Sequence, residues 1–81
     1  MEYEIQIYIN EYSIREEAMS VEELRSQIPS LINQLCKQFD IMGEITAEIF
    51  ISTTDGCSVD TDELELFVDA NNEIVAEILY D

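Results

Sequence analysis

Residues 60–81 read DTDELELFVDANNEIVAEILYD. Leu64, Leu66 and Val68 alternate with Glu63, Glu65, Phe67 and Asp69, which is the period of a strand with one buried and one solvated face. Asn71-Asn72 supplies turn residues, and a second alternating run follows over residues 73–80. The stretch therefore predicts a β-hairpin whose outer face is crowded with carboxylates. Like charges on one sheet face repel, so their placement needs an explanation.

The same period recurs upstream. In YEIQIYI, residues 3–9, Tyr3, Ile5, Ile7 and Ile9 share one face, and Glu4, Gln6 and Tyr8 share the other. A turn at Asn10-Glu11 leads to YSIREEA, residues 12–18, whose hairpin register sets Ile14 opposite Ile7 and Glu16 opposite Ile5. EITAEIFIS, residues 44–52, sends Ile45, Ala47, Ile49 and Ile51 inward and Glu44, Thr46, Glu48 and Phe50 outward. TTDGCS centres a turn on Asp55-Gly56.

Between these strands lies one helical signal. Ser20 and Glu23 have capping-box spacing, and Met19 and Leu24 stand where a hydrophobic staple would form. Val21, Leu24, Ile28, Leu31, Ile32, Leu35, Phe39 and Met42 recur at three- and four-residue steps and make one apolar stripe. Pro29 interrupts the backbone ladder near Gln27, yet the stripe keeps its phase. One bent helix over residues 21–40, ending near Gly43, is the expectation. The order β(β)αβββ predicts a single α+β domain over residues 1–81, an antiparallel sheet of four or five strands with the helix on one face.

Covering one face leaves the other to the acids. The expected open face carries Glu2, Glu4, Gln6 and Tyr8, then Glu44, Thr46, Glu48 and Phe50. It continues with Glu63, Glu65, Phe67 and Asp69, and ends on Glu73, Val75, Glu77 and Leu79. Nine of these sixteen positions are carboxylates and none is Lys or Arg. The whole chain has 3 basic and 19 acidic residues, a net charge of −16. Residues 24–43 hold Arg25, Lys37 and Asp40, a net of +1, so the other 61 residues carry −17.

Such a charge argues against direct contact with nucleic acid or an anionic membrane, both polyanions, and favours basic proteins as partners. Neighbouring carboxylates on one side of a strand lie about 6.6 Å apart and repel by roughly 0.6 kcal/mol in bulk water. A rigid array at this spacing approaches the charge density of a phosphate backbone, with Tyr8, Phe50 and Phe67 interleaved as apolar anchors. A merely solvated surface, or adaptation to salt, is the competing account.

The chain contains no histidine, and its only glycines are Gly43 and Gly56, so no histidine-based nucleophile system and no phosphate-cradling loop is present. Enzyme activity and cofactors are not expected. DGCSVDTDE and DANNE hint at calcium, but neither completes an EF-hand loop, and acidic turns account for both. Cys36 and Cys57 lack metal-ligand spacing and read as free thiols of a cytoplasmic protein. The opening MEYEIQ lacks the basic region of a signal peptide, and no apolar run reaches membrane-spanning length.

In size and charge, though in no motif, the chain resembles the small acidic inhibitors that phage and mobile elements direct against restriction or CRISPR systems. The expected function is an inhibitor that mimics nucleic-acid charge and blocks a basic nucleic-acid-binding protein. Its contact residues would be Glu2, Glu4, Tyr8, Glu44, Glu48, Phe50, Glu63, Glu65, Phe67, Asp69, Glu73 and Glu77. The alternatives are an immunity- or antitoxin-type partner of a basic nuclease or toxin, and an acidic interaction module that forms a homodimer.

Overall fold

The computed structural model describes residues 2–78, and within them the chain runs β1 (Tyr3–Ile9), β2 (Tyr12–Ala18), α1 (Val21–Ser26), α2 (Ile28–Phe39), β3 (Gly43–Thr53), β4 (Ser58–Val68) and β5 (Ile74–Glu77). The strands form one antiparallel sheet in the order β2-β1-β3-β4-β5, and both helices lie on the same side of it. This is the α+β architecture expected, with five strands.

The core follows from the alternation. Ile5, Ile7 and Ile9 of β1 and Ile45, Ala47, Ile49 and Ile51 of β3 are buried under Leu24 of α1 and Leu31, Ile32, Leu35 and Cys36 of α2. In the first hairpin Ile7 pairs with Ile14 and Ile5 with Glu16, as its register predicted. Asn10, in the left-handed region at φ 56°, lets this turn close.

The helical segment departs from a single bent helix. It is two helices that share Gln27 as cap, with φ −91° and ψ −8°. Pro29 falls in the first turn of α2, where its missing N–H has no intrahelical acceptor to lose, so breaking the helix is cheaper than bending it. Ser20 accepts the Glu23 N–H at 3.1 Å. The staple does not form, because Met19 points into solvent while Leu24 is buried. The stripe also ends sooner than its period suggests. Phe39 lies half-exposed and stacks on Tyr12 with ring centroids 4.1 Å apart, and Met42 is exposed. Asp40, at φ 53°, ends α2 in place of the expected Gly43, and turns the chain so that Ile41 enters the core.

The second departure is in β5. Leu66 pairs with Glu77 and Phe67 with Ala76, but Val68 pairs with Ile74, so Val75 is an extra, unopposed residue. One inserted residue reverses the faces beyond it. Ile74 sits on the helix side as expected, whereas Glu77 joins Leu66 there and Ile78 moves to the open side, its N–H bonded to the Glu65 carbonyl at 2.7 Å. Residues 79–81, including the expected outward Leu79, lie outside the described part of the chain.

Candidate functional site: the open face of the sheet

Cross-strand registers define the helix-free face as rows of residues. From β2 to β4, one row reads Ser13, Tyr8, Glu48, Glu63, and the next reads Arg15, Gln6, Phe50, Thr61. A third holds Glu17, Glu4 and Ser52. Toward the other end, Thr46 pairs with Glu65 and Glu44 with Phe67.

The expected acids do not all belong to this surface. Glu4 is clamped by the Arg15 guanidinium, which also reaches Glu17 at 3.4 Å, so one cation offsets part of the charge of this corner. Glu2 precedes β1 and is exposed, its carbonyl accepting the Thr54 N–H at 3.1 Å. Asp69 and Glu73 are corrections. The Asp69 carboxylate accepts the Asn71 and Glu73 N–H groups at 2.8 and 3.1 Å and builds the β4–β5 turn. Glu73 pairs with Lys37 of α2 at 3.2 Å, which draws it to the helix side. Glu77 is a third correction, carried to the helix side by the bulge at Val75.

What remains is a compact cluster. Glu44 and Glu48 of β3 and Glu63 and Glu65 of β4 lie on the two central acidic strands, Glu48 directly across from Glu63. Among the described residues none of the four carboxylates meets a cation or a hydrogen-bond donor from another side chain. All three cations of the chain are engaged elsewhere: Arg15 with Glu4 and Glu17, Arg25 with Asp60, and Lys37 with Glu73. Directly opposed residues have Cβ atoms about 4.5–5.5 Å apart, and Glu44 to Glu48 spans about 13 Å along β3. The cluster is flanked on one side by Tyr8 and Phe50, whose rings meet edge to face at 5.7 Å, and on the other by Phe67. Tyr8, Phe50 and Phe67 are each about 40% exposed.

Among the described residues no three carboxylate or thiol groups converge as a metal site. Asp60 and Asp62 accept the N–H groups of Thr61 and Glu63, their next neighbours along β4, at 2.9 and 2.8 Å. The Asp55 carboxylate is held below its ordinary pKa, chiefly by the Thr53 hydroxyl that donates to it. Both cysteines are free; Cys36 is buried, which raises its thiol pKa, and Cys57 is exposed. No described helix is long and apolar enough to cross a membrane.

No protein-family model matches this chain, and neither the curated proteins nor the solved structures contain a significant match to it.

Proposed function

We propose that the protein is an acidic inhibitor that docks its open sheet face into the nucleic-acid-binding site of a basic protein of the cytoplasm, where it competes with phosphate. The reading rests on one observation. The three Lys and Arg side chains pair with peripheral and helix-side acids, and among the described residues Glu44, Glu48, Glu63 and Glu65 are left without a cation on the open face of the sheet. A fold that needed only solubility has no reason to oppose Glu48 to Glu63 while ion pairs form elsewhere. The exposed aromatics beside the cluster supply the apolar anchors that carry binding energy at interfaces.

Chemistry is not part of this proposal; the face acts by occupying a site. The size of the cluster supports a second form of it. A patch about 13 Å long corresponds to a few phosphates along one strand, not to a long groove. A compact acidic patch beside an aromatic pair suits the active site of one basic nuclease or toxin, as an immunity-type partner would.

The test is capture from a host lysate with the protein and with a variant carrying Glu44→Lys, Glu48→Lys, Glu63→Lys and Glu65→Lys. The expected result is retention of a nucleic-acid-binding protein that a duplex oligonucleotide or rising salt releases, and that the variant does not retain. Retention unchanged in the variant would overturn the reading. A single nuclease held against competing duplex, with its activity blocked, would select the immunity-type form.

A further inference from the structure

Next to the carboxylate cluster the open face dips into a shallow hollow lined by Gln6, Tyr8, Glu48, Phe50, Ser52 and Ser58. Two adjacent cross-strand rows supply its aromatic and acidic walls, with Tyr8 opposite Glu48 and Gln6 opposite Phe50, and Ser52 and Ser58 of the next row close it. The Tyr8 hydroxyl donates to Gln6 Oε1 at 3.0 Å, which turns the phenol's lone pairs away from that bond and leaves them able to accept. The two rings stand at 80° to one another, so they present a ring face and a ring edge to the same space. The hollow thus combines aromatic surface, a carboxylate and neutral acceptors. Arg15, the cation in the same row as Gln6 and Phe50, is already held by Glu4 and Glu17.

This inference rests on the docking role proposed above and names what enters the hollow. We infer that it seats an arginine side chain of the basic partner, the guanidinium stacked on the Tyr8–Phe50 pair and its N–H fork directed at Glu48. Charge sets the sign of the occupant: a phosphate or a carboxylate is repelled by Glu48 and Glu63. The aromatic pair then separates arginine from lysine. Guanidinium is planar, weakly hydrated and stacks on rings while its edge donates in a fixed fork, whereas ammonium is a compact, strongly hydrated point charge. An acidic cluster alone would treat the two cations alike. A cation over an exposed ring gains about two- to fivefold in affinity.

The experiment titrates the full chain with blocked hexa-arginine and hexa-lysine peptides at low salt, following the Tyr and Phe ring resonances by NMR. Hexa-arginine is expected to bind about two- to fivefold tighter and to shift the Tyr8 and Phe50 rings. Phe50→Leu lies on the open face, where Phe50 is 40% exposed, so it preserves the core. It should bring the arginine-to-lysine ratio to about one, with hexa-arginine affinity falling more than hexa-lysine affinity. Equal affinities in the parent protein overturn the inference, as does a preference that survives both Phe50→Leu and Tyr8→Leu. Equal binding of both peptides that Glu48→Gln with Glu63→Gln abolishes would remove the arginine seat and leave the docking role intact. Failure of either peptide to perturb the open face would remove both.

Discussion

At the scale of single residues, the Thr53–Asp55–Cys57 turn shows how one hydroxyl organises a loop. Thr53 is buried at the end of β3, donates to the Asp55 carboxylate and accepts the Cys57 N–H at 3.0 Å. Because the folded-state pKa of Asp55 is lowered, its contribution to stability is fully present above the ordinary value of 3.8 and is lost as pH falls through the folded value. Thr53→Val is therefore expected to raise the Asp55 pKa toward 3.8 and to destabilise the fold more at neutral pH than in acid. Carboxyl chemical-shift titration and denaturant melts at two pH values check both statements. The two thiols make a second contrast. Cys57 is exposed and Cys36 is buried with a raised pKa, so a thiol reagent should label one site in the native protein and the second only on unfolding. Mass spectrometry of labelled peptides reads this directly; native labelling of Cys36 would contradict the packing around it.

At the scale of elements, strand alternation was readable wherever a strand is regular. Every inward residue expected for β3 is buried and every outward one exposed. The bulge at Val75 was not readable, since an inserted residue leaves no mark in composition, only a change of phase after it. The same element-level view explains the edge of β4. Among the described residues β5 pairs no further along β4 than Glu65. Asp60 and Asp62 fold their carboxylates onto edge N–H groups and charge the edge, which blunts strand addition. Asp62→Val should expose the Glu63 N–H, raise strand propensity and produce concentration-dependent self-association, measured by light scattering. Scattering unchanged from that of the parent protein would show that other features guard this edge. On the open face, Glu48→Gln removes one side of an opposed like-charge pair. It should stabilise the fold by about 0.2–1 kcal/mol in denaturant melts, with the gain shrinking as salt rises.

At the scale of the whole molecule, charge and fold compete. Nineteen acids face three cations, and each exposed ion pair is worth about 0–1 kcal/mol, too little to offset the summed repulsion. Added sodium chloride should therefore raise the melting temperature, because screening relieves more repulsion than attraction. A melting temperature that falls with salt would mean that the Arg15, Arg25 and Lys37 pairs dominate. The same salt should weaken binding to a basic partner, so stability and affinity are expected to move in opposite directions across one salt series.

The sequence by itself determined the sheet, the helical stripe over it and the excess of acid on β3 and β4, because side-chain period and burial are local consequences of backbone geometry. Only the tertiary structure decided which acids remain free. Glu4, Asp60 and Glu73 find their cations across strands or from a helix, and Glu77 changes face through a bulge, so neither outcome is a property of nearest neighbours in the chain. Three-dimensional pairing and the bulge thus leave, among the described residues, four carboxylates of β3 and β4 without a cation beside an aromatic hollow, since opposite charges meet through space and not along the sequence.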